Sequence, residues 1–197
     1  MSAGDRTAGF TPILTDGLAG WAMAGHGRFN QVGDGVLETE GGPGLLWYTP
    51  ETFDDFVLRV EWRASAVEDN SGVFLRFPPL GSSHPDADWR LAVTDGYEVQ
   101  IDDRGYDPQE KRFGSPLHRT GAIYRLAPAE VMASRPTGDW NVFEITALGL
   151  DISVLLNGTP VARLERDVGR PRRGHIGLQN HHDGSRVQFR GIRIRRL

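Results

Sequence analysis

Glu98, Gln100 and Asp102 occupy alternate positions of the segment Tyr97–Asp102, between the apolar Tyr97, Val99 and Ile101. Successive side chains of an extended chain point to opposite faces, so the three polar groups share one face, with neighbours roughly 6.6 Å apart along the strand. Carboxylate, amide, carboxylate on one sheet face is a layout suited to sugar chemistry. One acid can hold a proton while the other stays charged, and the amide between them can grip a hydroxyl. The same pattern also describes the solvated outer face of an edge strand, and these residues alone leave both readings open.

Gln179 and His181 lie two apart at the end of a second segment, Gly174–Asn180, where His175 falls on the side of Gln179 and Ile176 and Leu178 on the other. His181 suits proton transfer, because histidine titrates near neutral pH. The run His181-His182-Asp183 contains metal-ligating residue types, but adjacent histidines on a strand point to opposite faces and chelate one ion poorly. No metal and no cofactor is expected. Asn70-Ser71-Gly72 reads as a turn leading into Val73, Phe74 and Leu75, with Arg76 at the far end of that apolar run. The guanidinium either pairs with a carboxylate, Glu61 and Glu98 being available, or receives a ligand oxygen. Alternation assigns Trp62 and Tyr97 to the core, which leaves Trp89, in a polar loop, as the aromatic to stack on a sugar ring. His26, His84 and His118 stand alone and read as loop residues. The chain has no Gly-rich phosphate loop, no Ser-centred nucleophile elbow and no zinc-protease helix motif.

The elements that must position these residues are strands. Gly and Pro punctuate the whole chain, and short Val/Ile/Leu/Phe/Trp runs lie between them. In Phe56–Arg63 the residues Phe56, Leu58, Val60 and Trp62 alternate with Val57, Arg59, Glu61 and Arg63. Further strands are expected at Gly35–Thr39, Gly44–Tyr48, Ser71–Phe77, Asn141–Leu148, Ile152–Leu156, Pro160–Leu164, Gly174–Asn180 and Val187–Leu197. Asn157-Gly158 between two apolar runs is a hairpin signal, and Asp34-Gly35 marks a second turn. No helical period persists beyond about two turns; Pro128–Ser134 is the one short helix the pattern allows. Strands with no helical layer to cover them must close into a barrel or pack sheet on sheet. The Pro78–Gly96 and Arg104–Gly121 connections are long and rich in Gly, Pro and charge, as decoration or as the walls of a site. With no linker and no repeat, residues 1–197 read as one all-β domain.

Composition narrows the partners. The chain has 197 residues, no cysteine and a formal net charge of −4, with Lys111 its only lysine. Thiolate chemistry is excluded. No basic block could neutralise a run of phosphates, so nucleic acid is not an expected partner. No apolar run approaches the ~20 residues that span a bilayer. Met1–Thr11 lacks the basic start and apolar stretch of a signal peptide, which points to the cytoplasm.

Several segments, in order, resemble the 3-keto-disaccharide hydrolase domain family, long catalogued as a domain of unknown function. They are Phe10–Trp21 (FTPILTDGLAGW), Asp34–Leu37 (DGVL), Phe53–Arg63 (FDDFVLRVEWR), Asn70–Arg76 (NSGVFLR), Tyr97–Asp102 (YEVQID), Thr120–Pro128 (TGAIYRLAP), Asp139–Thr146 (DWNVFEIT), Asn157-Gly158, Gly174–Gln179 (GHIGLQ) and Val187–Leu197 (VQFRGIRIRRL). The resemblance implies a concanavalin A-like jelly-roll sandwich of two curved antiparallel sheets, and action on sugars oxidised at C3. It carries the family's recurrent polar positions onto Glu61, Asn70, Ser71, Arg76, Glu98, Gln100, Tyr124, Asn141, Gln179 and His181. Where the family has Gln-Asp-His-Gly, this chain reads Gln179-Asn180-His181-His182-Asp183-Gly184. It also differs from the sandwich-fold glucanases, which place an aspartate between two glutamates on one strand. Here Gln100 takes the middle position and cannot exchange protons.

Two readings compete. In the first, a base removes the C2 proton that a C3 ketone makes acidic, the C1 substituent leaves, and water adds back. Glu98 or His181 would serve as base or acid, Arg76 would stabilise the enolate, and Asn70, Gln100 and Gln179 would hold hydroxyls. In the second, the same face binds carbohydrate without turnover, as a lectin does. A partner-binding sandwich with no ligand is a third. On a solvated face, exchanging Glu98 for glutamine should alter stability little.

Overall fold

The computed structural model describes residues 9–15, 17–81 and 88–197; His84 and the start of the Met1–Thr11 stretch lie outside them. The elements run β1 (Thr11–Pro12), β2 (Trp21–Gly25), β3 (Arg28–Gly33), β4 (Val36–Glu40), β5 (Gly44–Tyr48), β6 (Phe56–Ala64), β7 (Ser71–Phe77), α1 (Arg90–Asp95), β8 (Tyr97–Ile101), β9 (Asn141–Leu148), β10 (Asp151–Leu156), β11 (Thr159–Leu164), β12 (His175–Asn180) and β13 (Val187–Arg196). They form two antiparallel sheets. One has eight strands, ordered β11-β10-β9-β6-β13-β4-β3 with β1 on β13; the other has five, ordered β2-β5-β12-β7-β8. The hairpins β3–β4, β7–β8 and β9–β10–β11 each stay within one sheet, and the chain crosses between the sheets at the remaining connections, the two-sheet arrangement of a jelly-roll sandwich.

The core lies between the sheets. Leu58, Val60 and Trp62 of β6, Phe143 and Ile145 of β9 and Phe189 of β13 meet Val73 and Leu75 of β7, Tyr97 and Val99 of β8 and Ile176 and Leu178 of β12. The eight-stranded sheet alternates as the sequence predicts, with buried and half-buried residues taking turns along β9 and β10. Asn157 and Gly158 both have positive φ, 54° and 84°, which matches the twist that a two-residue hairpin between β10 and β11 requires.

The five-stranded sheet differs. All residues of β7, β8 and β12 are buried, so its outer face is covered rather than wet. Leu45, Trp47, Phe74, Phe77, Leu80 and Ala92 form a second apolar cluster there, beneath α1. The free edge of β8 is covered too: Gln100 N–H donates to Ala122 O (3.0 Å), Gly121 N–H to Gln100 O (2.9 Å) and Tyr124 N–H to Glu98 O (2.8 Å).

The short helix expected at Pro128–Ser134 does not form. Its backbone is used elsewhere: Ala129 N–H donates to Pro116 O and Glu130 N–H to Val161 O, while Asn157 Nδ2 donates to Ala133 O. These bonds are incompatible with the i to i−4 ladder of a helix. The helix lies instead at Arg90–Asp95, after Trp89. Among the described residues, no helix is long and apolar enough to cross a membrane.

Candidate functional site

The covered outer face of the five-stranded sheet contains a pocket of about 300 Å3, lined by Asn70, Trp89, Val93, Gln100, Tyr106, Pro108, Tyr124, Gln179, Asn180 and His181 together with Glu98 of β8. Its floor follows from strand register. Gly72 of β7 pairs with Gln100 of β8, and Phe74 pairs with Glu98. Phe74 also pairs with Gly177 of β12, and Gln179 is the next outward position along that strand.

Gly72 is the space that makes the floor work. A Cβ there would lie 2.5 Å from Glu98 Oε1 and 2.9 Å from its Cγ, so the carboxyl leans over the glycine. From that position the Gln179 side chain hydrogen-bonds it. Glu98 is 6% exposed. Burial pushes its carboxyl up to about 8, against the opposing pull of the Gln179 amide. At neutral pH Glu98 therefore carries a proton. Two oxygens beside it lack any hydrogen-bond partner although buried, Gln179 Oε1 and Asn70 Oδ1. Buried polar atoms without partners are uncommon and mark where a ligand's donors belong.

The walls are held by specific contacts. Trp89 packs over Gly25, where a Cβ would come within 2.8 Å of its Cδ1. Tyr124 is pinned by its N–H to Glu98 O and packs edge-on to His118, ring centroids 5.0 Å apart. Burial, then the nearby Glu98, push the Tyr124 phenol above its ordinary value, so it stays a donor. Asn180 Nδ2 donates to Glu40 O (2.8 Å) and Arg28 O (3.2 Å), which fixes the end of β12 and hence the start of the His181–Gly184 turn. His181 stands exposed at the rim, its Nδ1 2.8 Å from His182 Nδ1. The surrounding protein and the adjacent His182 hold its imidazole below the usual histidine range, so it is neutral at neutral pH. The pocket thus pairs a protonated carboxyl with an unprotonated imidazole, the division of labour that acid–base catalysis needs.

Seven of the eleven residues singled out from sequence line this pocket: Asn70, Trp89, Glu98, Gln100, Tyr124, Gln179 and His181. Arg76, expected to meet the substrate, does not line the pocket. It has φ 54° at a bulge where the β7–β12 register shifts, and its guanidinium donates to Asp54 O (3.0 Å), Gly149 O (2.9 Å) and Asp55 Oδ1 (3.2 Å). Neither Glu61 nor Glu98 is its mate. Glu61 lies on the eight-stranded sheet and pairs with Arg190 at 2.8 Å. Asn141 accepts from Arg135 N and Asn157 Nδ2, both at 2.8 Å, and orders the connection before β9. Ser71 spends its hydroxyl on Gln179 O at 2.7 Å. Asp102, placed on the face of Glu98 by alternation, is fully buried and accepts from Arg104 N and Tyr106 N, each at 3.0 Å. It builds the loop that presents Tyr106 rather than facing the pocket.

Tyr106, Pro108, Val93 and Asn180 were missed. The length of the two connections that carry the first three was the available signal. His118, read as a loop residue, is 4% exposed with Nδ1 2.8 Å from Ser115 Oγ, and supports Tyr124 from behind.

The model of the 3-keto-alpha-glucoside-1,2-lyase-like domain matches residues 9–195. A candidate glycosyl hydrolase of Parabacteroides distasonis is 25% identical, with a TM-score of 0.74 over 95% of this chain and 99% of that one. A second from the same organism is 21% identical, TM-score 0.78, covering 100% and 98%. A Bacillus subtilis protein of unknown function with a galectin-like fold is 13% identical, TM-score 0.68, covering 95% and 94%. No curated protein matches the chain.

Proposed function

The chain belongs to the 3-keto-alpha-glucoside-1,2-lyase-like domain family, and on that premise we propose that its pocket cleaves the glycosidic bond of a glycoside oxidised at C3. The observation that carries this reading is the pairing of Glu98, protonated by burial, with the neutral His181 in one pocket over the same sheet. A ketone at C3 makes the C2 proton acidic. His181 takes that proton, electrons from the C2–H bond form an enolate, and the enolate expels the C1 oxygen as the C1–C2 double bond forms. Glu98 gives its proton to the departing oxygen. Water then adds at C1 and a proton returns to C2, which restores the keto-sugar.

The enolate oxygen needs donors, and Arg76 is too far engaged elsewhere to supply one. Tyr124 and the Gln100 amide take that role, since Gln100 Oε1 is occupied by the Ile101 N–H at 3.1 Å and its NH2 remains to donate. Neutral donors fixed in place stabilise developing negative charge without reorganisation. Trp89 provides the apolar wall for the ring.

The test is incubation of the protein in D2O with a 3-keto-disaccharide and, separately, with the unoxidised disaccharide. Release of both sugars from the keto substrate alone, with deuterium at C2 of the oxidised product, is expected. Cleavage without C2 exchange would overturn the elimination. Saturable binding of the plain sugar with no cleavage of either would make the pocket that of a lectin-like module.

A further inference from the structure

A second cavity, of about 450 Å3, adjoins the pocket and is lined by Val93, Thr94, Tyr124, Arg125, Leu126 and Arg170. It shares Val93 and Tyr124 with the first. Because Tyr124 N–H is bonded to Glu98 O, the shared wall stands directly beside the acid. The two cavities thus meet at Tyr124, next to the strand that carries Glu98.

The two cavities differ in charge. Among the described residues, no arginine or lysine lines the first. The second has two arginines and, among the described residues, no carboxylate in its lining. Arg170 is fixed: its guanidinium donates to Gly96 O and Val93 O, which locks the end of α1, and it stacks 5.7 Å from the Tyr97 ring. Asp167 bonds the Tyr97 hydroxyl nearby and partly balances that charge. Arg125 is different. It is exposed and, among the described residues, in no ion pair within 4 Å or side-chain hydrogen bond. Its backbone has φ 61°, in a turn set by Arg125 N–H to Leu117 O (3.1 Å) and Leu126 N–H to Ile123 O (2.8 Å). Glycine adopts that conformation freely, whereas another residue is held there under strain.

We propose that this second cavity is the leaving-group subsite and that Arg125 selects leaving groups bearing an oxyanion, a carboxylate or a phosphate, on an apolar body that packs between Val93 and Leu126. The planar guanidinium accepts either anion through two parallel hydrogen bonds. The inference rests on the reading of the first pocket as the site for the oxidised ring.

The experiment uses 3-keto-glucosides of 4-hydroxybenzoate, of its methyl ester and of a phosphate-bearing phenol. The ratio of kcat/KM for each anion to that for the ester is measured on one enzyme preparation, so general damage cancels. Wild type should favour an anion by about tenfold, and whichever anion gives the larger ratio identifies the group read. Arg125→Gly, which suits the φ, should bring the ratio to about one, and Arg125→Lys should keep part of it. A wild-type ratio near one, or a ratio that survives Arg125→Gly, overturns the proposal. If no keto-glucoside is turned over, the reading of the first pocket fails by itself. Calorimetric binding of the unoxidised glucosides then decides the subsite: tighter binding of an anion that Arg125→Gly abolishes supports it, and equal binding of anion and ester overturns it.

Discussion

The Glu98 carboxyl occupies the volume that any side chain at Gly72 would fill, with Oε1 2.5 Å from where a Cβ would stand. Two strands meet there so that an absent side chain on β7 gives a buried acid on β8 its place under Gln179.

Gly72→Ala should therefore remove Glu98 from its position. The φ of Gly72 is not in the left-handed region, so alanine fits the backbone and the clash falls on the carboxyl. Turnover of a 3-keto-disaccharide should fall by on the order of a hundredfold, as for loss of a general acid. Full activity in this variant would mean that Glu98 works from another position or not at all.

Burial reverses the expectation that Glu98→Gln is silent for stability. The ordinary value is 4.5 and the folded value about 8. Between these the folded protein holds a proton that the unfolded chain has released, so stability declines as pH rises across this window and levels off above it. Glu98→Gln removes the term. Melting temperatures from pH 5 to 9 should show the variant gaining on wild type as pH rises. A constant difference would show that Glu98 titrates normally.

The sandwich, its strands and the β10–β11 hairpin were legible because apolar alternation and Asn157-Gly158 are local signals. Burial of the site face was not, because alternation reports polarity and not exposure. Glu98 and Gln100 alternate with Tyr97 and Val99 as a wet face would, yet lie under α1 and the 104–124 loop. The signal for a covered face was the unbroken runs Leu45-Leu46-Trp47 and Val73-Phe74-Leu75, apolar on both sides of the strand. β2 and β3 were missed because small residues fill the first and polar residues the second. The place of Arg76 was hidden because a bulge breaks the period-two rule from which its face was read.

Arg76 should prove structural. It joins the 54–55 turn to Gly149, and Asp55 Oδ1 also accepts the Gly149 N–H at 2.8 Å. Arg76→Met leaves those acceptors short of donors and should cost about 2 kcal/mol, roughly 4–8 °C in Tm for a chain of this size. Turnover per folded molecule, measured well below the new Tm, should stay within about twofold. A hundredfold loss in the folded variant would return Arg76 to the chemistry.

Glu98 must be protonated and His181 unprotonated for the proposed elimination, so kcat/KM should follow a bell. The alkaline limb should fall through about 8, where Glu98 loses its proton. The acid limb should lie below the ordinary histidine value of 6.5, because the surrounding protein and His182 disfavour the charged imidazole. His182 contributes by geometry as well: with Nδ1 to Nδ1 at 2.8 Å, one ring must be an acceptor, so both cannot carry two protons. Glu98→Gln should remove the alkaline limb and lower the plateau by about two orders of magnitude. His181→Asn should remove the acid limb, and His182→Asn should move it toward 6.5 with a smaller loss of rate. The profiles of these three variants on one 3-keto-glucoside separate the roles. An alkaline limb that persists in Glu98→Gln would assign the acid to another group, with Tyr124 next to be replaced, and an acid limb that persists in His181→Asn would remove His181 as the base.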